Sequence, residues 1–86
     1  MADYSVVFAR SASKELRLLD SPVAVRILKR IEALGQNPRP AGAIKLEGAM
    51  DLWRIRVGEW RDIYRIAERE SMVDIVAVRH RREAYR

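Results

Sequence analysis

Four arginines and no lysine lie in one short segment, LWRIRVGEWRDIYRI, which spans residues 52–66. Arg54 and Arg56 alternate with apolar residues in its first half, and Arg61 and Arg65 interrupt a second apolar run. The arginine side chain ends in a planar, permanently charged fork that matches the geometry of phosphate. The segment therefore encodes either the water-exposed face of a sheet or a surface that binds a strongly negative partner.

The C-terminal segment AVRHRREAYR concentrates groups that could move protons and stabilise charge around the single histidine, His80. The chain has no cysteine, no spacing typical of metal ligands and no glycine-rich phosphate loop. No serine lies near His80 in sequence, which disfavours a nucleophilic triad. Arginine, histidine, tyrosine and glutamate suit cleavage of a phosphodiester whose nucleophile belongs to the substrate, as the 2′-hydroxyl of RNA does.

The length and composition indicate one small basic domain, residues 1–86. Seventeen basic against twelve acidic residues give a net charge of +5 and a pI near 10.2, and only three of the basic residues are lysine. This balance favours a nucleic acid or an acidic protein as partner. The absence of cysteine, signal-peptide features and any apolar run near the ~20 residues of a membrane span predicts a cytoplasmic protein without membrane contact.

The N-terminal half predicts one strand and two helices. Residues 3–9 are rich in β-formers and predict a buried strand. Residues 11–20 predict a helix capped by Ser11 or Ser13. A second helix should begin at Ser21 as its N-cap, continue with a 3.6-residue apolar period to residue 34, and end at Gly35 in a left-handed conformation.

The C-terminal half predicts a long loop over residues 36–51 and then strands over 52–57, 60–68 and 72–80. The order β-α-α-β-β-β indicates an α+β fold, in which both helices cover one face of a small antiparallel sheet. On the first strand of this half, Trp53, Ile55 and Val57 should face the helices. Arg54 and Arg56 should then point away from them.

Three segments together resemble the RelE-like toxins of toxin–antitoxin pairs, within the RelE/ParE superfamily: KLEG (residues 45–48), LWRIRVGEWRDIYRI and VRHRREAYR. The resemblance covers almost the whole chain. It implies a small basic endoribonuclease that enters the ribosomal A site and cuts mRNA there without a metal or other cofactor. It also implies a cognate antitoxin that wraps around the toxin and neutralises it in a hetero-oligomer.

The resemblance also implies roles for individual residues. The two basic strand residues that contact phosphate fall on Arg54 and Arg56, and the arginine of the following strand falls on Arg61. The arginine credited with stabilising the transition state falls on Arg81, and the tyrosine that orients the target nucleotide falls on Tyr85. The remaining candidates for phosphate binding are Lys45, Arg79 and Arg82.

This chain departs from the well-known members of that family, which carry lysine where it has Arg54 and Arg56. A lysine can act as general base, but arginine does not lose its proton at working pH. The base must therefore be another group, and His80 and Glu83 are the two candidates.

Other interpretations stay open at this stage. Arg65 and Arg69 are more typical of a solvated face, His80 could be incidental, and Tyr85 could cap the core. A ParE-like protein with the same fold would bind DNA gyrase and would lack nuclease chemistry. Such a protein would not need His80, Arg81 and Tyr85 together. A third alternative is a toxin that only binds its antitoxin.

Overall fold

A computed structural model describes residues 3–48 and 51–82. The elements are β1 (Ser5–Phe8), α1 (Arg10–Arg17), α2 (Ser21–Ala33), β2 (Ile44–Lys45), β3 (Leu52–Val57), β4 (Trp60–Ala67) and β5 (Met72–His80). The predicted α+β class and the order of elements are confirmed, with one short additional strand, β2, inside the segment predicted as a loop. Neither helix in the described ranges is long and apolar enough to cross a membrane.

The strands form a single sheet in the order β1-β5-β4-β3-β2. Strand β1 runs parallel to β5, whereas the other three pairs are antiparallel. The prediction of a purely antiparallel sheet is therefore wrong, and the sheet is mixed. Because the whole of the intervening chain separates β1 from β5, the connection is long enough for a parallel pairing.

Strand β1 was predicted to be buried, and this prediction is also wrong. The strand lies at the edge of the sheet, where Val7 and Phe8 keep 39% and 38% of their surface exposed. Branched and aromatic residues favour the pleated conformation at an edge as well as in the centre of a sheet. Composition alone could not distinguish the two positions.

The helix starts differ from those predicted. Helix α1 begins after Ala9, and no side chain caps it. The Ser11 hydroxyl instead donates a hydrogen bond to the Val76 carbonyl oxygen at 3.2 Å. Helix α2 has Asp20 as its N-cap, so Ser21 is already helical. A serine near a helix start can bond to a neighbouring strand, which removes the advantage of placing it at the cap.

Gly35 does not adopt the predicted left-handed conformation, since the glycines with positive φ in the described residues are others. Its role is steric. A Cβ at Gly35 would lie 3.0 Å from the Tyr4 carbonyl oxygen, and the Tyr4 N–H donates to the Gly35 carbonyl at 2.7 Å. Glycine therefore allows the end of α2 to approach the start of β1 closely.

Both helices cover the same face of the sheet, as predicted. Ala12 and Leu16 of α1 and Ile27 and Ile31 of α2 belong to one buried cluster with apolar residues of β3, β4 and β5. This helix-covered face holds the core. The opposite face of the sheet is called the open face below.

A bulge in β5 decides which of its residues reach the open face. Ile63 of β4 pairs with Ala77, but the next residue, Tyr64, pairs with Ile75, so Val76 is an extra residue. Because side chains alternate along a strand, the extra residue reverses which face each later position of β5 occupies. Ile75 faces the core, and Arg79 faces the open side only because the bulge intervenes.

The long loop after α2 is fixed to the end of the sheet distant from residue 58. The Tyr64 hydroxyl, which is buried, donates to the Pro38 carbonyl oxygen at 2.7 Å. Arg39 pairs with Glu68 at 2.5 Å, and the Tyr4 hydroxyl donates to the same carboxylate at 2.7 Å. The Arg39 guanidinium also lies 5.1 Å from the centroid of the Trp53 ring. These contacts hold the loop against β3 and β4, which carry part of the site.

Candidate functional site

Three arginines lie side by side across the open face. The strand register pairs Arg56 of β3 with Arg61 of β4, and Arg61 with Arg79 of β5. Directly opposed residues of neighbouring antiparallel strands have Cβ atoms about 4.5–5.5 Å apart. These three residues are called the arginine row. Like charges at this spacing repel one another, so the row creates a strongly positive surface that favours an anion.

Arg61, in the centre of the row, is buried to 6% exposure. Its Nε and Nη1 atoms are buried, and no described group accepts a hydrogen bond from them. A buried donor without an acceptor costs about 1–3 kcal/mol, and a charged group more. Both donors are inaccessible in this conformation, so an anion such as phosphate would supply the missing acceptor only when the Arg61 side chain turns outward.

The two strand arginines of β3 lie on the same side, as predicted. Arg54 pairs across the strands with Ile63, one step along the open face from Arg61. Arg56 is exposed, and its Nε atom donates to the Gly58 carbonyl oxygen at 3.3 Å. Ile55, between them, faces the core with 1% exposure. The alternation thus presents two guanidinium groups beside the buried Arg61.

Glu59 and Arg81 are neighbours just beyond the arginine row, at the end of the sheet. Glu59 lies in the turn between β3 and β4. The Arg81 N–H donates to the Glu59 carbonyl oxygen at 2.7 Å. The Arg81 Nη1 atom also lies 3.2 Å from a Glu59 carboxylate oxygen. The Arg81 hydrogen bond and charge hold the pKa of Glu59 below its ordinary value, and the charges of His80 and Arg56 act in the same direction. Glu59 is therefore a carboxylate surrounded by cations.

Because side chains alternate along β5, His80 lies on the helix-covered side, and its cross-strand partner is Trp60. The two rings meet edge to face, with centroids 5.2 Å apart and planes at 88°. The His80 Nδ1 atom accepts the Arg82 backbone N–H at 3.4 Å. His80 nevertheless lines an open cavity of about 470 Å³ together with Glu59, Arg81 and Arg82. The imidazole thus lies at the end of the sheet, beside the Glu59–Arg81 pair.

The remaining predicted site residues are placed as follows. Arg79 pairs with Glu15 of α1 at 2.7 Å, and Arg82 is exposed at the end of β5. Lys45 pairs with Trp53, so the register places it on the face opposite to Arg54, and the structure does not bring it to the arginine row. Tyr85 and Glu83 lie outside the described residues.

Three acidic residues at or beside the site could not be found from the sequence. Glu59 follows a turn glycine and gave no signal beyond its polarity. Glu15 accepts from the Val78 backbone N–H at 2.8 Å and from Arg79, a contact between residues remote in sequence. Asp62 follows Arg61 directly and is fully buried on the core side of β4. Each depends on tertiary placement, which spacing does not reveal.

Comparison with known proteins decides the family. The sequence matches the family described as ParE toxin of type II toxin-antitoxin system, parDE, over residues 6–85. The chain belongs to this family. Membership in the ParE toxin family, within the RelE/ParE superfamily, makes it a toxin of a type II toxin–antitoxin system. Comparison with proteins of curated function gives no match.

Solved structures of related toxins share the fold. RelE in the archaeal RelE–RelB complex from Pyrococcus horikoshii is 30% identical, with a TM-score of 0.82, and the match covers 98% of this chain and 100% of that one. A double arginine-to-alanine mutant of Escherichia coli RelE in the free state is 25% identical, with a TM-score of 0.82 and coverage of 96% and 88%. A YoeB/ParE toxin from Agrobacterium tumefaciens is 20% identical, with a TM-score of 0.77 and coverage of 88% and 96%, and this likeness concerns the fold alone.

Proposed function

We propose that this toxin is an endoribonuclease that cleaves mRNA on the ribosome, using the 2′-hydroxyl of the substrate as nucleophile and no metal ion. The arginine row carries the proposal. Arg61, which carries two buried donors without an acceptor, lies between Arg56 and Arg79 in the strand register. This arrangement fits a phosphodiester, because the charge that develops on its oxygens in the transition state is what such donors stabilise best.

Each residue would have the role in binding or catalysis that its position allows. Arg54 and Arg56 would hold the RNA backbone, and Arg61 would bind a non-bridging oxygen of the scissile phosphate. Arg81 would stabilise the transition state from the end of the sheet, with Arg79 and Arg82 contributing attraction for the backbone. His80 would move a proton, since the two ring nitrogens of imidazole can donate and accept one. Tyr85 would orient the target nucleotide.

The partner that restrains the toxin would be a cognate antitoxin. The Pyrococcus horikoshii relative is a RelE–RelB complex, and the family is defined by toxin–antitoxin pairing. A net charge of +5 favours an antitoxin segment with acidic residues. Such a segment would neutralise the toxin by covering the open face and the arginine row.

The decisive test is cleavage of mRNA on purified, programmed ribosomes with the ribosomes kept intact in magnesium. The proposal predicts cuts within the A-site codon, poor cutting of the same RNA without ribosomes, and no requirement for a transition metal when chelators selective for such metals are present. Cutting naked RNA only upon addition of a divalent metal would contradict the proposal.

A second candidate is inhibition of DNA gyrase without nuclease activity, since the matching family is described by its ParE members. The two candidates differ in which process stops first after induction of the toxin. Pulse labelling of protein and DNA synthesis in the same culture separates them. An early arrest of replication, with translation continuing and purified gyrase inhibited, would favour the gyrase candidate.

A further inference from the structure

Glu59 holds a position that the proposed roles do not yet use. It lies in the β3–β4 turn, on the step next to the arginine row, and its carboxylate contacts Arg81 at 3.2 Å. The same carboxylate experiences the charges of Arg56 from β3 and of His80 from β5. These basic side chains come from β3 and from the end of β5.

RNA chemistry restricts where a general base can be. The 2′-oxygen is joined to the scissile phosphorus through only two carbons and the 3′-oxygen. The group that removes its proton must therefore lie beside the arginines that hold that phosphate. Glu59 meets this condition because it contacts Arg81 directly and follows Gly58, whose carbonyl oxygen accepts a hydrogen bond from Arg56. The arginines themselves cannot accept a proton.

His80 meets the condition less well as a base, since it alternates to the side of Trp60. It does line the cavity that Glu59 and Arg81 also line, at the end of the sheet. From this cavity the imidazole can reach a phosphate held by Arg81, which leaves it the second proton transfer, to the departing oxygen. A carboxylate and an imidazole that line one cavity together with phosphate-binding arginines can divide the two proton transfers between them.

We propose that Glu59 is the general base of RNA cleavage and that His80 is the general acid. This inference rests on the proposed nuclease function. The Glu59 carboxylate takes the proton of the 2′-hydroxyl as the 2′-oxygen forms a bond to phosphorus. The bond from phosphorus to the 5′-oxygen breaks, and that oxygen takes a proton from the His80 imidazolium. The products are a 2′,3′-cyclic phosphate and a 5′-hydroxyl, and exchange with water returns both side chains to their starting state.

The Glu59–Arg81 ion pair does not oppose this role. Both side chains are more than half exposed, and an ion pair of this kind is easily exchanged. A phosphate that reaches Arg81 replaces the carboxylate as partner of the guanidinium. Glu59 is then left beside the ribose of the bound nucleotide, ionised and able to accept a proton.

The experiment measures single-turnover cleavage on programmed ribosomes by Glu59→Gln, His80→Gln and a matched control, Glu70→Gln. Glu70 is an exposed glutamate of the β4–β5 turn, at the opposite end of the sheet. Loss of a general acid or base lowers a rate by about 10²–10⁴-fold. We expect that loss for the first two variants, partial recovery in Glu59→Asp, and the wild-type rate for the control.

A substrate with sulfur in place of the 5′-bridging oxygen assigns the two roles, because a thiolate leaves without a general acid. We expect it to restore the rate of His80→Gln and to leave Glu59→Gln slow. Rescue of Glu59→Gln instead would reverse the roles and overturn the inference. A wild-type or faster cleavage rate for Glu59→Gln would also overturn the inference. So would a Glu59→Gln substitution that lowers the cleavage rate of the wild type but not that of the Arg81→Ala variant, because Glu59 would then only position Arg81. If the wild-type protein cuts no RNA, the nuclease proposal itself fails.

Discussion

Arg61 and Asp62 are consecutive residues of β4, and both are buried charged side chains with unpartnered polar atoms. They lie on opposite faces. Arg61 shares the open face with Arg56 and Arg79, whereas Asp62 pairs with Ile55 and Val78 on the core side. The two residues thus have opposite charges, and each has buried polar atoms without a hydrogen-bond partner.

The difference lies in how each group can relieve the cost of its burial. Desolvation raises the pKa of Asp62 to about 7, although the charge of Arg30 opposes this shift. The carboxyl can therefore become neutral by binding a proton. The guanidinium of Arg61 cannot lose its charge and needs an anion. The core side of β4 thus imposes a pH dependence on stability, whereas the open side carries a buried charge that only an anion could neutralise.

The largest effect is expected from removing charge at Arg54 and Arg56 together. If these residues act as fixed charges, replacing both with glutamine should abolish cleavage, because glutamine keeps hydrogen bonding but not the charge that holds phosphate. Replacing both with lysine should retain much of the activity. Single-turnover rates of the two double variants provide the measurement. Equal loss in both would show that the fork geometry of arginine, rather than its charge, is required.

Arg61→Gln should lower the rate of cleavage by about 10²–10³-fold, the usual cost of removing one preorganised donor to a developing charge. Its thermal stability should be unchanged or higher, since the substitution removes an uncompensated buried charge. Cleavage kinetics and thermal unfolding of the same preparation test both statements. A large loss of stability with unaltered cleavage by the folded fraction would make Arg61 a structural residue.

Asp62→Asn should leave cleavage intact and change the pH dependence of folding. The pKa of Asp62 is about 7 in the folded protein, against an ordinary value of 3.8. Between those values the folded state binds the additional proton, so the wild-type protein loses stability as pH rises through this window. The slope contributed is up to about 1.4 kcal/mol per pH unit.

The measurement is the free energy of unfolding from pH 4 to 8, taken as the difference between wild type and Asp62→Asn. Asp20→Asn serves as control, because Asp20 is exposed and its side chain makes no cap hydrogen bond. A difference curve as flat for Asp62→Asn as for the control would mean that Asp62 is ionised in the folded protein.

The smallest effect is expected at Arg65, which lies on the open face of the same strand as Arg61. Its cross-strand neighbour is Asp74, with which it forms an ion pair at 3.4 Å, and its side chain is about half exposed. Arg65→Ala should therefore cost less than about 1 kcal/mol of stability and leave cleavage unchanged. A cleavage defect as large as that of Arg61→Gln would show that the binding surface extends along the whole strand.

The sequence was most informative where a local rule governs the structure. Alternation in β3 correctly placed Arg54 and Arg56 opposite to Ile55, and the bounds of β3 and β5 were correct to the residue. The periodicity of α2 was equally clear. These features depend on residues that are close in sequence and follow from the geometry of a strand or a helix.

The parts that could not be predicted depend on partners remote in sequence. The bulge at Val76 reverses the alternation of β5, so no reading of its apolar pattern could assign Arg79 to the open face. The parallel pairing of β1 and the contact of Glu15 with Arg79 arise only when the chain ends meet. Glu59 acquires its surroundings in the same way, through Arg56 of β3 and through His80 and Arg81 at the end of β5.

The pairing of β1 with β5 also constrains when during synthesis the protein can become harmful. Strand β1 cannot pair until β5 has been synthesised, since Ser5 pairs with Met72 and Phe8 with Ile75. Arg79 and Arg81 are delivered by that same final segment. A nascent chain that has not yet produced β5 thus lacks both the completed sheet and Arg79, the third member of the arginine row. The sheet and the arginine row can therefore form only after β5 has been synthesised.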